Sequence, residues 1–245
     1  MSTPVETRSL GLIHTVSGLV PVFADLVRTY LPDWQTFNIV DETLLKNTIR
    51  AGKLETPTMR RLAGHVWTAE DSGADAVLVT CSSIGPAVDA TRPMCSIPLV
   101  RVDAGMVEEA LDAGRRIGVL ATLSTTLVPT VDLVTTRASQ RGAHVRIESH
   151  LCEGAFEALS AGDRDDHNAR IREGLSVLAG SVDVIILAQA SMANALDDAT
   201  RASMGLPVLA SPELGVRHLA KVLETSLQAP PSNSAFKPGL TVEKS

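Results

Sequence analysis

Short apolar runs alternate with amphipathic stretches of helical length along most of this 245-residue chain. Each apolar run is rich in strand-favouring residues and has the length of a single buried strand. Strands that alternate with helices favour a parallel sheet covered on both faces, which is the α/β class. The runs predicted as strands span residues 10–16, 36–40, 76–80, 117–121, 144–148, 182–188 and 207–210. The stretches predicted as helices span residues 43–52, 57–72, 107–114, 125–141, 165–179 and 212–226.

Two segments of the chain echo each other, ADAVLVTCSSIG at 74–85 and VDVIILAQASM at 182–192. In each segment an aspartate precedes an apolar strand, and small polar residues follow it. This repeat favours two similar lobes, each a mainly parallel sheet flanked by helices. Ligands of open parallel sheets lie beyond the carboxyl ends of the strands, so we predict an active site in the cleft between the two pseudo-symmetric lobes.

We expect residues 1–105 together with 208–227 to form the first lobe and residues 106–207 to form the second. The segment 228–245 is rich in Pro and Ser and has little apolar periodicity, which is typical of a flexible tail.

Charge and composition exclude several classes of partner. The net charge is −6 and there is no run of Lys or Arg, which argues against a nucleic-acid surface. No apolar run reaches the roughly 18 residues that span a bilayer, and the N-terminus does not resemble a signal peptide. We therefore expect a soluble cytoplasmic protein with no membrane or nucleic-acid partner. The three cysteines are widely spaced and lack metal-ligand spacing, which favours reduced thiols and predicts no metal site.

The first chemical motif is Thr80-Cys81-Ser82-Ser83-Ile84-Gly85, at the end of a predicted strand. A thiol at such a turn lies beside free backbone N–H groups, which stabilise the thiolate and lower the pKa of the cysteine. The same amides and the hydroxyls of Ser82 and Ser83 are suited to a substrate carboxylate or a developing enolate. The alternative is that Cys81 is a small buried apolar residue. Cys95 and Cys152 lack this setting and are interpreted as structural.

The second motif, Ala121-Thr122-Leu123-Ser124-Thr125-Thr126, places four hydroxyls between a strand and a helix. Hydroxyl groups and first-turn amides that converge at one point suit a carboxylate. Ordinary N-capping by Ser124 or Thr125 is an alternative, and the two interpretations are compatible.

TCSSIG, ATLSTT and VDVIILAQASM, in this order, resemble the aspartate/glutamate/hydantoin racemase superfamily, which also includes maleate isomerases and arylmalonate decarboxylases. The resemblance extends to about Leu227. It implies two facing α/β lobes, each with a cysteine on one side of a substrate whose carboxylate is bound by hydroxyls and amides. It also implies that no metal or organic cofactor is used and that the chain is a homodimer or a higher homo-oligomer.

The resemblance assigns roles to individual residues. Cys81 matches the first-lobe cysteine, and Ser82 and Ser83 match its carboxylate-binding neighbours. Thr122 and Thr125 match a pair of threonines in the second lobe. The turn that contains Thr15 and Ser17 matches another substrate-facing segment, whereas His14 is expected to pack within its strand.

The chain departs from the superfamily at the second cysteine. Members that racemise have a pattern such as LACT after the strand, whereas this chain has Leu187-Ala188-Gln189-Ala190-Ser191. Gln189 stands where the thiol is expected, and Ala190 and Ser191 complete the predicted substrate-binding turn. An amide does not titrate near neutral pH, so a symmetric two-thiol racemase is not expected.

Three mechanisms remain open to a single thiol. Cys81 is suited to addition to a double bond with cis–trans isomerisation, to protonation of an enolate after decarboxylation, or to one half of an asymmetric acid/base pair. For the third, His150 is the candidate partner because its ordinary pKa suits proton transfer near neutral pH, and Gln189 would donate a hydrogen bond to the intermediate. Asp41 and Glu42 also lie near the expected cleft, but Asp41 is predicted to cap the next helix.

The sequence thus predicts a cofactor-independent isomerase or racemase that acts on a small carboxylic acid through Cys81. The alternatives are a decarboxylase or another carbon–carbon lyase, and a non-catalytic protein that binds a carboxylate.

Overall fold

The computed structural model of the protein describes residues 8–197, 201–202 and 204–228. Its strands are β1 Arg8–His14, β2 Trp34–Val40, β3 Ala76–Val79, β4 Leu99–Arg101, β5 Arg116–Ala121, β6 Arg146–Leu151, β7 Val184–Leu187 and β8 Val208–Ala210. Its α-helices are α1 Val20–Tyr30, α2 Glu42–Ala51, α3 Thr56–Asp71, α4 Gly85–Thr91, α5 Ala104–Ala113, α6 Ser124–Gln140, α7 Ala155–Ser160, α8 Arg164–Ala179 and α9 Ser211–Gln228. The predicted tail lies almost entirely outside the described residues.

The strands form two four-stranded sheets in which every pairing is parallel. The first sheet has the order β2-β1-β3-β4, and the second has the order β6-β5-β7-β8. The second order is the first shifted by four strands, so β5 corresponds to β1 and β7 corresponds to β3. The fold class predicted from the sequence, two pseudo-symmetric α/β lobes, is confirmed.

The aspartate shared by the two echoing segments has the same structural role in both lobes. The Asp75 carboxylate accepts a hydrogen bond from the backbone N–H of Ser9 at 2.7 Å. The Asp183 carboxylate accepts from the backbone N–H groups of Arg115 and Arg116 at 3.0 and 2.8 Å. Each aspartate therefore ties the start of one central strand to the start of its neighbour, which helps to fix the parallel register.

Near the C-terminus, the chain passes from the second lobe back to the first. β8 was expected in the first lobe, but it pairs with β7 in the second sheet. The return to the first lobe begins with α9, whose residues Val216, Leu219 and Leu223 pack in the core beneath β1 and β3. We therefore propose residue 211, rather than 208, as the point of return.

Helices α5 and α9 lie in close contact where the lobes meet. A Cβ atom on Gly105 would lie 2.1 Å from the carbonyl oxygen of Leu214, so only glycine fits at this point of α5. Met106 and Val107, which follow on α5, pack in the core of the second lobe. The contact thus joins a helix of one core to a helix of the other.

Some elements differ from the sequence prediction. Strand β4 was not predicted, because its apolar run is short and ends in the charged Arg101. The short helices α4 and α7 and the longer α1 were also not predicted. Strand β6 begins and ends two to three residues later than expected. Within the described ranges, no helix is long and apolar enough to cross a membrane.

Candidate active site

A cavity of about 320 Å³ lies between the two lobes, where the carboxyl ends of both sheets face each other. This volume is at the lower end of the range of small-molecule sites. The first lobe contributes the ends of β1 and β3 together with α2, and the second lobe contributes the ends of β5 and β7 together with α6 and α7. Predicted site residues that line the cavity are Thr15, Cys81, Ser82, Ser83, Gln189, Ala190 and Ser191.

Cys81 lies two residues beyond β3 and directly before the short 3-10 turn Ser82–Ile84. Its side chain is partly exposed to the cavity and otherwise surrounded by protein. Burial raises the pKa of the Cys81 thiol, although hydrogen bonds from the Thr15 hydroxyl and the backbone N–H groups of Ser83 and Ile84 act in the opposite direction. The expected amides are therefore present, but the expected fall in the pKa is wrong because desolvation of the thiolate outweighs them.

The turn that carries Cys81 packs against Arg101, a buried residue that forms ion pairs with two aspartates. Arg101 at the end of β4 is 2% exposed and donates to both carboxylate oxygens of Asp103, at 2.7 and 2.8 Å. It also donates to Asp89 on α4 at 2.5 Å. A Cβ atom on Gly85 would lie 2.2 Å from the Arg101 guanidinium, so the glycine of the TCSSIG motif allows this packing.

The same turn is linked to the opposite lobe by a buried pair of hydroxyls. The Oγ of Ser83 and the Oγ1 of Thr126 lie 2.6 Å apart, and both residues line the cavity. Thr126 belongs to the first turn of α6, so this hydrogen bond connects the two walls of the cleft.

His14 packs within the sheet, as expected from the sequence. Its ring is fully buried, with Nε2 3.0 Å from Asn38 Oδ1 and Nδ1 2.9 Å from Thr80 Oγ1. Burial lowers the pKa of His14, which favours the neutral ring. In the neutral form, Nε2–H donates to Asn38 and the Thr80 hydroxyl donates to Nδ1.

Gln189 occupies the same place in the second lobe that Cys81 occupies in the first. It lies two residues beyond β7 and directly before the 3-10 turn Ala190–Ala195. Its amide is held at both ends by Thr122, whose backbone N–H donates to Oε1 at 2.8 Å and whose Oγ1 accepts from Nε2 at 2.6 Å. Thr122 thus fixes the orientation of Gln189, and one Nε2 hydrogen remains for a further acceptor.

The charged side chains at the cavity are Glu42 and Lys46, as far as the described residues extend. They form an i, i+4 pair on α2, with Lys46 Nζ 2.8 Å from Glu42 Oε2. Ser17 donates to the other Glu42 oxygen at 2.9 Å. The predicted substrate-binding Ser17 therefore contacts Glu42, and it is not among the cavity-lining residues.

Other predicted residues lie elsewhere. Thr125 is buried away from the cavity, and its neighbour Thr126 lines it instead, because α6 begins at Ser124 and turns Thr125 inward. No side chain caps the first turn of α6, so the capping by Ser124 or Thr125 that the sequence left as an alternative is absent. Asp41 does cap α2, accepting from the backbone N–H of Thr43 at 3.0 Å, as predicted.

His150 does not reach the cavity. It lies inside β6, where it pairs with Leu120, rather than in the turn after the strand. Its ring lies near Gly174 of α8, where an added Cβ atom would be 3.0 Å from His150 Cδ2. The late end of β6 thus removes His150 from the position that an acid/base partner of Cys81 needs.

Across the described residues, no group of three or more His, Cys, Asp or Glu side chains is arranged to hold a metal ion. Sequence reasoning placed Glu42 near the cleft but missed Lys46, its partner four residues later, although this spacing on a predicted helix was a usable signal. It also missed the apolar cavity residues on α2 and α7.

Residues 14–219 match the family model described as Asp/Glu/hydantoin racemase. The comparison with curated proteins gives no match. Among solved structures, the chain is similar to a glutamate racemase from Bacillus anthracis, with 18% identity, a TM-score of 0.70 and coverage of 89% of this chain and 82% of that one. It is also similar to the glutamate racemase from Francisella tularensis in complex with D-glutamate, with 16% identity, a TM-score of 0.71 and coverage of 94% and 86%.

An allantoin racemase from Pseudomonas fluorescens is a further structural relative, with 16% identity, a TM-score of 0.65 and coverage of 96% of this chain and 100% of that one. At these identities the structural likeness supports the two-lobed fold alone.

Proposed function

Because the chain belongs to the Asp/Glu/hydantoin racemase family, we propose that it is a cofactor-independent enzyme of racemase or isomerase type. In the proposed reaction, Cys81 transfers a proton to or from a carbon atom of a small carboxylic acid. The observation that carries this proposal is the setting of the thiol. Cys81 contacts the inter-lobe cavity at the carboxyl end of β3, and the Thr15 hydroxyl and two backbone N–H groups donate to its sulfur.

The cavity supplies the other groups that the reaction needs. The hydroxyls of Ser82, Ser83 and Ser191, together with the uncapped first turn of α6, offer donors for the substrate carboxylate. An enolate that forms next to this carboxylate is stabilised by the same donors as its charge develops. The remaining Nε2 hydrogen of Gln189 supports the intermediate from the second lobe.

The role of Cys81 follows from its protonation state. Because burial raises the pKa of the thiol, the resting site holds a protonated sulfur near neutral pH. This thiol is ready to give a proton to carbon, and the donors around the sulfur stabilise the thiolate left behind. In a one-thiol isomerisation, the thiolate form of Cys81 removes a proton from one carbon, and the resulting thiol returns it to another carbon on the same face of the substrate.

A carbon–carbon lyase is the second candidate, favoured by the pair of Cys81 and Gln189. Decarboxylation gives an enolate without a base, and a single thiol then suffices to protonate it. A glutamine opposite this thiol has no proton-transfer role near neutral pH.

Deuterium oxide separates these functions. An isomerase exchanges the hydrogen next to the carboxylate of intact substrate, whereas a lyase releases carbon dioxide and a product with one deuterium. NMR measures the deuterium exchange of the substrate and the deuterium content of the product, with a panel of small 2-substituted acids and malonates. Catalysis of neither reaction by any member of the panel would exclude the enzymatic proposal and favour a carboxylate-binding protein.

The Cys81→Ala variant tests the role of the thiol. We expect turnover to fall by at least about 100-fold, which is typical of a lost acid/base group, while the folded structure is kept. Cys95→Ala is the matched control, since the thiol of this cysteine donates a hydrogen bond to the carbonyl oxygen of Thr91 and lies outside the cavity. Full activity of Cys81→Ala, with an unchanged circular dichroism spectrum, would remove Cys81 from the mechanism.

A homodimer or higher homo-oligomer and a cytoplasmic location remain predictions from the sequence. Sedimentation of the full chain tests the first, and cell fractionation tests the second.

A further inference from the structure

The inter-lobe cavity has an apolar wall in addition to its polar strand ends. Leu45 and Ile49 lie four residues apart on α2, and Phe156 and Leu159 lie three residues apart on α7. Residues at these spacings share one face of a helix, so each helix directs an apolar pair into the cavity. Leu19 and Leu123 extend this surface beside the ends of β1 and β5.

The two helices occupy equivalent positions in the duplicated fold. Helix α2 follows β2, the edge strand of the first sheet, and α7 follows β6, the edge strand of the second. Both lobes therefore present an apolar pair to the same space. These side chains are only partly buried, so apolar surface remains open for a ligand to cover.

The charged side chains around the cavity do not favour a ligand with a second carboxylate. Lys46 is the cation among the described residues that line it, and it already pairs with Glu42. The side chains of this pair are 65% and 43% exposed, so they lie towards solvent rather than within the apolar wall. A carboxylate placed against the leucines and the phenylalanine would lose hydration without gaining a cation.

We propose that this cavity selects a carboxylic acid whose substituent is apolar and of alkyl or benzyl size, rather than one whose side chain carries a second carboxylate. This inference rests on the proposed function for the identity of the carboxylate end. It departs from the glutamate racemases to which the fold is similar, because it is drawn from the side chains of α2 and α7 in this chain.

Calorimetry with three matched acids tests the proposal in the full chain carrying Cys81→Ser, so that binding is measured without turnover. Propionate is the parent acid, 3-phenylpropionate adds a phenyl ring to its terminal carbon, and succinate adds a carboxylate to the same carbon. We expect 3-phenylpropionate to bind at least about tenfold more tightly than succinate, since each buried methylene contributes about fourfold. Equal or tighter binding of succinate, or no binding by any of the three, would overturn the proposal.

Variants of the apolar wall locate the effect. Leu159→Ala is expected to weaken the binding of 3-phenylpropionate much more than that of propionate. Leu159→Arg is expected to reverse the preference towards succinate. Val177→Ala on α8, where the side chain is 59% exposed, is the control and should alter neither affinity. Equal weakening of all three acids by Leu159→Ala would contradict a selective wall.

This test and the test of the proposed function fail independently. If 3-phenylpropionate binds as expected and Cys81→Ala leaves turnover intact, the proposed substrate class is supported and the proposed role of the thiol is contradicted. If Cys81 proves essential and succinate binds more tightly, the role of the thiol is supported and the substrate class is contradicted.

Discussion

Cys81 and Gln189 have equivalent positions in the two lobes but different chemistry. Each lies two residues beyond a central strand and precedes a 3-10 turn. The thiol titrates, and burial raises its pKa. The amide does not titrate near neutral pH, and Thr122 holds it at both ends. At the scale of the residue, proton transfer in the proposed reaction is therefore confined to one side of the cavity.

The raised pKa of Cys81 predicts how its alkylation depends on pH. We expect iodoacetamide to modify Cys81 more slowly than a free thiol at pH 7, because less thiolate is present, and the rate to rise as the pH approaches the raised pKa. Cys152 should be the slowest, since its side chain is buried and burial raises its pKa to about 11. Mass spectrometry of the labelled peptides between pH 6 and about 10 measures both.

Protection provides the control for this labelling. A bound 3-phenylpropionate should slow the modification of Cys81 and leave Cys95 unaffected, because only the former contacts the cavity. A Cys81 that reacts fully at pH 6 would contradict the raised pKa.

Replacement of Gln189 by cysteine should restore a second proton-transfer group. We expect Gln189→Cys to accelerate loss of optical rotation relative to deuterium exchange, because the new thiol reaches the opposite side of the substrate. The variant should also be less stable by about 1–3 kcal/mol, since the Thr122 N–H loses its acceptor. Gln189→Ala, which shares this loss without the thiol, is the matched control, and equal racemisation by both variants would contradict the prediction.

The sequence predicted the polar part of the site more fully than the apolar part. Cys81, Ser83 and Gln189 follow buried strands, and the carboxyl ends of parallel strands meet at one edge, so their proximity could be inferred. Whether the side chains of Ile49 and Leu159 point into the cavity depends on how their short helices pack against the sheets, and the periodicity of the sequence does not reveal this. His150 was predicted in a turn because the predicted strand ended three residues too early. The observed β6 extends to Leu151 and includes His150.

At the scale of the element, Asp75 and Asp183 explain the echo that the sequence analysis detected. Each precedes a central strand and accepts backbone hydrogen bonds from the neighbouring one. Asp183 also pairs with the Arg116 guanidinium at 2.6 Å. The hydrogen bonds and charge of Arg116, with the two backbone N–H groups, lower the pKa of Asp183 to about 2.

Asp183→Asn should lower the thermal unfolding midpoint at pH 7. A carboxyl whose pKa is depressed in the folded state stabilises the fold above its ordinary pKa, and this contribution is lost as the pH falls towards about 2. The difference between the variant and the wild type should therefore shrink between pH 4 and pH 2. Asp165→Asn, on the exposed first turn of α8, is the control, and a difference that grows on acidification would contradict the assignment.

Elements with a strong pattern were predicted, and elements whose identity depends on tertiary context were not. The longer helices α3, α6 and α8 were predicted within a residue or two of their observed bounds. Strand β4 was not, because its three residues include Arg101, whose burial depends on Asp103 and Asp89. Neither Asp103 nor Asp89 could be recognised from the sequence as a partner of Arg101, so the burial of a charged residue in a strand was not predictable.

At the scale of the whole molecule, the contact between α5 and α9 sets how the lobes meet. Gly105 allows the two helices to approach until its Cα lies against the backbone of Leu214. Because α5 packs in one core and α9 in the other, this contact resists relative movement of the lobes. The geometry of the cleft therefore depends on a glycine outside it.

Gly105→Ala should destabilise the molecule by about 1–3 kcal/mol, since the new methyl group meets a backbone carbonyl that moves only with its helix. Gly64→Ala in α3 is the control, because its Cβ atom would meet nothing within 4 Å and alanine favours the helix. Urea unfolding measures both, and an unchanged midpoint for Gly105→Ala would contradict the close contact.

The repeated strand order has a consequence for the product of the carbon–carbon lyase candidate. A duplicated scaffold with the same group in both halves would treat the two faces of a planar intermediate alike. Here one half offers a thiol and the other an amide, so carbon receives its proton from the Cys81 side alone. In the reaction of the carbon–carbon lyase candidate, the near-symmetric fold then acts as a chiral proton donor, and the enzyme should release a single enantiomer.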